Sequence, residues 1–283
     1  MSFIQVRDLE HGYSAGGLFS KRHRVQVLSG LNLDLHEGQS LGLLGGSGSG
    51  KSTLARLLMG LESADQGSIV FKGQPPFLQR VQMVFQDALS AFNPQRSIGW
   101  SIAEPLRHLS DMDAAACRAR VEQLLQQVQL EARDIDKLPA QLSGGQLQRA
   151  GIARAMAIGP QLIILDEALS NLDRVLQVQI LDLLAQVRRE SGTGFLLITH
   201  DLSLVQRFCQ RVVVLAEGKL VEDLPVTAQM RFTHPAARTL QEAVLPAMPR
   251  ARTRPVQSGA RLRRRGGAGR RASRTSSKRA PST

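Results

Sequence analysis

Apolar residues in the first sixty positions change from a strand-like to a helix-like spacing. Leu31, Leu33 and Leu35 alternate with polar residues, which predicts a half-buried β-strand. A turn at residues 37–38 and a short apolar run at residues 41–44 follow, and this run meets a glycine-rich segment. Beyond it, apolar side chains recur at helical intervals, namely Leu54, Leu57, Leu58 and Leu61. The predicted order is therefore strand, loop, helix.

The alternation of strands and helices returns in the second half of the chain. Residues 162–165 and 195–198 are short apolar runs, typical of buried parallel strands. Between them lies a helical stripe formed by Leu176, Ile180, Leu184 and Val187. This alternation predicts an α/β fold with a mostly parallel sheet covered on both faces. Residues 87–141 are polar and favour helix, so we interpret them as a helical insertion.

The composition is that of a globular protein. The 283 residues are 42% apolar and long enough for one large α/β domain or two modest ones. The two cysteines, Cys117 and Cys209, are far apart, which predicts neither a disulfide framework nor a zinc site and suits a reducing compartment. The first residues lack a signal-peptide pattern, and no stretch approaches the about 18 consecutive apolar residues of a spanning helix. We therefore expect a soluble chain.

The formal net charge of +12 is concentrated at the carboxyl end. Residues 250–283 hold eleven arginines, one lysine and no acid, so residues 1–249 are formally neutral. This tail is rich in Arg, Gly and Ser and poor in large apolar residues, which predicts disorder. Three interpretations remain open: a solvated tail without a dedicated role, contact with anionic lipid headgroups, or contact with nucleic acid.

A phosphate-binding loop is predicted at residues 45–52, between the strand and the helix described first. The sequence Gly-Gly-Ser-Gly-Ser-Gly-Lys-Ser matches the P-loop pattern. Its glycines allow consecutive backbone N–H groups to surround phosphate oxygens, and the following helix directs its positive dipole end at them. Lys51 is expected at the β- and γ-phosphates and Ser52 at Mg²⁺. A flexible Gly/Ser linker would not need Lys-Ser at this position.

Two acids end the apolar run at residues 162–165. An acid at the end of a strand lies beside the P-loop in such folds, so Asp166 is expected to hold Mg²⁺. Glu167 is placed to activate the attacking water as general base. Alone, this pattern would more simply mark a strand that ends in a solvated turn; together with the P-loop it favours a catalytic role.

The pentapeptide Leu-Ser-Gly-Gly-Gln at residues 142–146 resembles the signature of ABC ATPases. The resemblance covers roughly residues 1–249, and the family's other motifs follow in the expected order. Gln86 matches the Q-loop glutamine, residues 170–173 the D-loop with Asp173, and His200 the switch histidine. Tyr13, the only tyrosine, lies where the family has its adenine-stacking aromatic residue.

The resemblance implies a P-loop ABC ATPase domain with a mostly parallel core sheet, an antiparallel β subdomain and a helical insertion. We expect the cassette at residues 1–225, its helical subdomain at about 87–147, a carboxyl-terminal extension at 226–249 and the basic disordered tail at 250–283. ATP and Mg²⁺ are the expected cofactors, with catalytic Glu167, His200 and Gln86. The expected nucleotide-binding residues are Gly45, Gly46, Ser47, Gly48, Ser49, Gly50, Lys51, Ser52, Thr53 and Tyr13. The expected Mg²⁺ ligands are Ser52, Gln86 and Asp166.

The resemblance further implies that one chain cannot complete its own site. In the family, a signature cradle faces the γ-phosphate held by the opposite subunit, so two ATP molecules join two ATPase domains. Asp173 is expected to bridge this interface. The cradle in this chain comprises Ser143, Gly144, Gly145 and Gln146.

Residues 87–96, 102–106 and 233–240 are similar to the dipeptide, oligopeptide and nickel uptake group of ABC importers. Within this group the chain most resembles the smaller ATPase subunit of nickel importers. This implies a paralogous second ATPase, two membrane permeases and, indirectly, a solute-binding protein, at the cytoplasmic face of the inner membrane. Residues 101–109 are expected near a permease's coupling helix.

Several alternatives stay open at this stage. A dipeptide or oligopeptide importer is the main one, and a soluble non-transport ABC ATPase that binds nucleic acid is a remote one. The six histidines show no ligand spacing, so no direct nickel site is expected in this chain. Between residues 73 and 84 the chain is shorter than its relatives, which leaves the structure before the Q-loop unpredicted.

Overall fold

The described structure, a computed structural model, covers residues 2–15, 23–73 and 77–242, which belong to one compact unit. Its strands are β1 (Ser2–Ala15), β2 (His23–His36), β3 (Ser40–Gly45), β4 (Gln66–Phe71), β5 (Val81–Val84), β6 (Leu162–Asp166), β7 (Gly194–Thr199), β8 (Arg211–Ala216) and β9 (Lys219–Pro225). Its helices are α1 (Lys51–Leu58), α2 (Phe77–Arg80), α3 (Ile98–Leu109), α4 (Ala114–Gln127), α5 (Gly144–Met156), α6 (Arg174–Ser191), α7 (Leu202–Phe208) and α8 (Pro235–Glu242). Short 3₁₀ turns occupy Ala132–Asp136 and Pro139–Gln141.

The larger sheet has six strands in the order β5-β6-β7-β3-β8-β9. The first five are parallel, and only β9 runs antiparallel, against β8. Every residue of β3 and β7 is buried, because helices cover both faces of the sheet. The predicted α/β fold with a mostly parallel sheet is confirmed.

The smaller sheet is antiparallel and has the order β2-β1-β4. The alternating Leu31, Leu33 and Leu35 lie in β2 and are at most 3% exposed, so the strand predicted from their spacing is confirmed. They share one apolar cluster with Leu41 and Leu54. The two sheets therefore pack on one core, with α1 between them.

The helix after the glycine-rich loop is shorter than its apolar spacing predicts. Helix α1 ends at Leu58, and Gly60 follows with a left-handed φ of 62°. Leu61 is consequently 60% exposed and lies outside the helix, so including it in the helical stripe was wrong. A glycine at this position reverses the chain before Leu61 can reach the core.

Helices α3, α4 and α5 occupy the segment between β5 and β6, where a helical insertion is predicted. Ile102, Leu106, Val121, Leu124 and Ile152 from these helices are buried together. Helix α5 continues to Met156, past residue 147, because its buried side chains run on towards β6. Gly99 is required at the start of α3, since a Cβ there would lie 2.3 Å from the Ile135 side chain.

Arg80 ties the segment before the Q-loop to both sheets. Its buried guanidinium donates hydrogen bonds to the Gly73 carbonyl at 3.0 Å, to Gln161 Oε1 at 2.7 Å and to the Lys72 carbonyl. It also lies 4.7 Å from the ring centroid of Phe3. Residues 77–84, which the sequence left unpredicted, form α2 and β5 around this anchor.

The carboxyl-terminal extension is described as far as Glu242 and docks through one carboxylate. Glu222 on β9 accepts hydrogen bonds from Thr233 N at 2.6 Å, Thr233 Oγ1 at 2.9 Å and His234 N at 2.5 Å. Helix α8 begins directly after this contact and buries Ala237 in the main core. The basic tail predicted at residues 250–283 lies outside the described residues. No helix in the described ranges is long and apolar enough to cross a membrane.

The Glu222 contact makes docking of α8 pH-dependent. Burial alone raises the pKa of the Glu222 carboxyl, but hydrogen bonds from His234 and Thr233 outweigh it and hold the pKa below the ordinary 4.5. A depressed folded-state pKa contributes stability that is fully present above the unfolded value and is lost as pH falls through the folded value.

We predict that Glu222→Gln makes amide hydrogen exchange in residues 235–242 about tenfold faster at pH 7, because a charge-assisted hydrogen bond is lost. The difference between variant and wild type should vanish once the pH falls below the folded pKa. Hydrogen exchange read by mass spectrometry checks this. Equal protection in both proteins at neutral pH would contradict the role of the carboxylate.

Candidate functional site

The predicted phosphate-binding loop connects β3 to α1, as its pattern requires. Gly48 and Gly50 adopt left-handed φ values of 75° and 106°, which favour glycine. A Cβ on Gly45 would lie 2.4 Å from the Leu215 carbonyl oxygen, so the strand's last residue must also be glycine. Helix α1 starts at Lys51, with no side-chain cap on its first N–H groups. These free donors and the helix dipole make the loop a binding site for anions.

Lys51 is buried beneath this loop. Its Nζ donates hydrogen bonds to the carbonyl oxygens of Gly45 at 3.0 Å and Gly46 at 2.8 Å. Burial lowers the pKa of the Lys51 ammonium, while the neighbouring Glu167 and Asp166 raise it. The ammonium therefore lies between the loop and the two acids at the end of β6.

Asp166 provides a buried oxygen suited to a divalent cation. Its Oδ1 has no hydrogen-bond partner within the described residues, and the Ser52 hydroxyl lies nearby. Burial raises the pKa of this carboxyl, and Glu167 adds to the rise, while Ser52, Lys51 and Arg56 oppose it. A carboxylate and a hydroxyl together fit Mg²⁺, which prefers oxygen ligands.

Gln86, the third predicted Mg²⁺ ligand, follows β5 on the same side of the sheet. Its Nε2 donates to Ser170 Oγ at 3.3 Å. The structure therefore brings Gln86 to the segment that precedes Asp173, and its contact is with Ser170 rather than with Ser52 or Asp166.

Glu167 and His200 come together at the ends of neighbouring strands β6 and β7. Glu167 Oε1 lies 3.8 Å from His200 Nδ1. Glu167 has a φ of 48°, a left-handed conformation that costs a non-glycine residue on the order of 1–3 kcal/mol. Hydrogen bonds compensate: Glu167 N donates to Ile198 O at 3.0 Å, and Glu167 O accepts from Ser170 Oγ at 2.8 Å. These bonds hold the Glu167 backbone in place, and its carboxylate lies beside the imidazole.

Asp173 caps helix α6. Its Oδ1 accepts hydrogen bonds from Val175 N at 2.9 Å and Leu176 N at 3.0 Å. The next residue, Arg174, pairs with Asp201 at 2.6 Å and donates to Ser203 Oγ at 2.8 Å. The D-loop is thereby tied to the residue that follows His200. The sequence did not predict this link, because Arg174 and Asp201 belong to no shared motif.

The signature residues begin helix α5, as the pattern predicts. Ser143 Oγ accepts from Gln146 N at 3.3 Å and Gln146 Oε1 accepts from Ser143 N at 3.0 Å, which is a reciprocal capping box. A Cβ on Gly144 would meet nothing within 4 Å, so the backbone there is open to approach. At Gly145 a Cβ would lie 3.2 Å from the Leu176 side chain. The chain therefore carries a second glycine-rich helix start, separate from the one at α1.

Tyr13 on β1 lies beside helix α1, near the end of the phosphate loop. Its hydroxyl donates to Glu62 Oε2 at 2.6 Å and lies 3.4 Å from Thr53 Oγ1. The side chain is 37% exposed. Glu62 belongs to no motif, and no pattern along the chain indicates a role for it.

The part of the chain that the structure describes contains several cavities. One of about 720 Å³ lies beside the phosphate loop and is lined by Gly46, Ser47, Gly48 and Ser49 together with residues of β2, β8, β9 and the start of α8. Another, of about 410 Å³, lies in the helical region between α3 and α4, away from the acids. The first cavity thus borders the phosphate loop, whereas Lys51, Asp166 and Glu167 line neither of the two.

A phosphate loop at the end of a central parallel strand, with acids ending the strand two places away in the sheet, defines a P-loop nucleoside triphosphatase. The sequence profile of the ABC transporter family matches residues 28–170. The chain therefore belongs to the ABC transporter family, as the ATP-binding and ATP-hydrolysing component.

Curated relatives and solved structures agree with this assignment. The nickel import ATP-binding protein NikE of Pseudomonas putida is 59% identical over 90% of this chain and 97% of its own length. The protein of the same name from Rhodospirillum rubrum is 53% identical over 88% of this chain and 93% of its own.

Among solved structures, the ATP-binding cassette MJ0796, a dimer in a post-hydrolysis state with ADP and Pi, is 25% identical. It covers 80% of this chain and 100% of its own, with a TM-score of 0.69. CbiO1 of Clostridium perfringens, part of the ABC transporter complex cbiONQ, is 27% identical, with a TM-score of 0.69 over 79% of this chain and 88% of its own.

We predict that Lys51→Ala weakens ATP binding at least about tenfold, because a buried positive charge beside the phosphates is lost. Titration of the purified chain with a fluorescent ATP analogue measures this. Arg207→Ala, which removes an exposed cation paired with Asp182, serves as the matched control and should bind as wild type does. Unchanged affinity in the Lys51 variant would contradict the site.

Proposed function

We propose that this chain is the ATP-hydrolysing subunit of an ABC transporter that imports nickel. The observation that carries the proposal is the 59% identity, over nearly the whole length of both chains, to a relative named as a nickel import ATP-binding protein. Relatives from two further species carry the same name at 47–53% identity. Nickel is the cargo of the assembly, and this chain supplies the energy.

Hydrolysis is assigned to the acids at the end of β6. Glu167, whose backbone is held by hydrogen bonds to Ile198 and Ser170, accepts a proton from the attacking water as general base. His200, 3.8 Å away, orients the water and contacts the γ-phosphate. Lys51 neutralises charge that develops on the phosphate oxygens. Ser52, Asp166 and Gln86 would hold Mg²⁺, which supplies positive charge to the β- and γ-phosphates.

The site is completed by a second subunit. Ser143, Gly144, Gly145 and Gln146 form an anion cradle at the start of α5, on a different element from the phosphate loop, and the open Gly144 backbone supports its approach to a partner's ATP. ATP then joins two subunits, and loss of the γ-phosphate releases them, which is a ligand-driven change between two states. Asp173, at the start of α6, contacts the partner across this interface.

The assembly contains membrane partners. We propose a paralogous second ATPase, two permeases and a solute-binding protein that acts through them, with this chain peripheral on the cytoplasmic face of the inner membrane. The description of CbiO1 as part of a transporter complex supports such an arrangement. Within the described ranges, no cluster of three or more His, Cys, Asp or Glu side chains could hold a metal ion. We propose that the partners handle the nickel ion.

We predict that Glu167→Gln abolishes ATP turnover by the complex while ATP binding persists, because only the base is removed. In cells, uptake of labelled nickel should fall to background with this variant. Asp182→Asn, an exposed acid on α6, is the matched control and should transport normally. Nickel uptake that does not respond to Glu167→Gln, together with uptake of a labelled dipeptide that does, would replace nickel by peptide as the cargo.

The contribution of the α5 start to the partner's ATP site can be tested at Ser143. Ser143→Arg should block ATP-driven association and reduce turnover of the complex at least about tenfold, because a long cationic side chain fills the cradle. ATP binding to the isolated chain should be unchanged. Light scattering and ATPase assays measure the two effects, and normal turnover in the complex would rule out a trans contribution from this helix start.

A further inference from the structure

The side chain of Tyr13 contacts a polar cluster whose residues belong to none of the nucleotide-site motifs. Its hydroxyl donates a 2.6 Å hydrogen bond to Glu62 Oε2, in the segment between α1 and β4. The ring of His11 packs edge-on against the Tyr13 ring, with centroids 5.0 Å apart and an interplanar angle of 88°. His11 is only 8% exposed, and its Nε2 lies 3.3 Å from the same Glu62 oxygen. Tyr13 and His11 therefore both contact the Glu62 carboxylate, and their rings also pack against each other.

His11 has no other evident task. Neither of its ring nitrogens makes a hydrogen bond of good geometry within the described residues, although Asp65 Oδ2 lies 3.7 Å from Nδ1. Burying a polar ring without full hydrogen bonding costs free energy. The contacts with Glu62 and the packing on Tyr13 offset this cost. The imidazole ring of His11 therefore restricts the angle of the tyrosine ring.

The segment that carries Glu62 is itself fixed to the strand that carries Tyr13. Asp65 N donates to Glu10 O at 2.9 Å, and Asp65 Oδ2 accepts from Gly12 N at 2.8 Å. Arg24 on β2 also pairs with Asp65. On the other side, Arg56 of α1 lies 3.5 Å from Glu62 Oε1. Glu62 thus links the tyrosine to the helix that begins at the phosphate loop.

We propose that Glu62 and His11 are positioning residues for the nucleotide base. They hold the Tyr13 ring at the edge of the phosphate loop with part of its surface exposed, so that an adenine ring can stack on it without first ordering the side chain. Aromatic stacking depends on offset and angle. Fixing the ring in advance removes the entropy cost of immobilising it when ATP binds. This inference rests on the proposed role of Tyr13 in ATP binding.

The test compares ligands with and without a base on the purified full-length chain. Glu62→Ala should weaken ATP binding about tenfold, because the ring loses its charge-assisted hydrogen bond. Binding of inorganic tripolyphosphate should change less than about twofold, since the phosphate loop is intact. Glu62→Gln, whose amide oxygen still accepts from the hydroxyl, should recover most of the affinity for ATP. Asp182→Ala is the control for removing a paired surface carboxylate elsewhere.

Energetic coupling between Glu62 and Tyr13 in ATP binding gives a second measurement. If Glu62 acts through Tyr13, the double variant with Tyr13→Ala should bind ATP as weakly as Tyr13→Ala alone. Because Tyr13 is the only tyrosine, 3-fluorotyrosine labelling gives a single ¹⁹F NMR signal. We expect ATP to shift this signal in wild type, and Glu62→Ala to broaden or move it before ATP is added.

Each outcome decides between the proposals. Equal losses of ATP and tripolyphosphate binding in Glu62→Ala, additive effects in the double variant, or an unmoved ¹⁹F signal would overturn the positioning role. Failure of the proposed transport function is seen separately, as wild-type complex that hydrolyses ATP without moving nickel. Full ATP affinity in Tyr13→Ala would overturn the base contact itself, while tripolyphosphate binding would still report on the phosphate loop.

Discussion

Parallel pairing of β3, β6 and β7 is the constraint on which the site depends. In this register Leu44 lies opposite Thr199, and Asp166 lies opposite Ile198. The residues that follow these strands therefore emerge at one edge of the sheet, which brings the phosphate loop, the two acids and His200 together. Because side chains alternate between the two faces of a strand, a slip by one residue would move each apolar side chain to the opposite packed layer, which is shaped for different residues. Packing of the core thus fixes the relative positions of the phosphate loop, the two acids and His200.

Much of the fold could be predicted because its signals are local. Short apolar runs specify buried strands, and Gly-rich loops with Lys-Ser specify the transition from strand to helix. The contacts of Arg80, the link between Arg174 and Asp201, and the bond between Tyr13 and Glu62 could not be predicted in this way. The pairs Arg80–Gln161, Arg174–Asp201 and Tyr13–Glu62 join residues that are 27 to 81 positions apart, and no spacing along the chain reports such pairs.

The candidate site residues show why sequence patterns alone leave roles open. Ser143, Asp173 and Asp201 each cap a helix through a side-chain oxygen. A cap is a complete structural explanation for a Ser or Asp at such a position. The structure adds the surroundings of these caps. The backbone of Gly144, beside Ser143, is unobstructed, and Arg174, beside Asp173, forms an ion pair with Asp201. The order of the motifs predicted Ser143 and Asp173, but not Asp201, as site residues, and their roles in the site stay predictions.

The hydrogen bonds of Lys51 within its own loop have a consequence for how strongly the protein discriminates among ligands. Two carbonyl oxygens already accept hydrogen bonds from the ammonium, which has three N–H donors, so an incoming anion that displaces them exchanges neutral acceptors for charged ones. Only the difference between the two sets of bonds contributes to affinity. Weakly charged molecules therefore gain little from the exchange, whereas a polyanion gains much. Selectivity for highly charged ligands is therefore set in part by hydrogen bonds that the loop makes within itself.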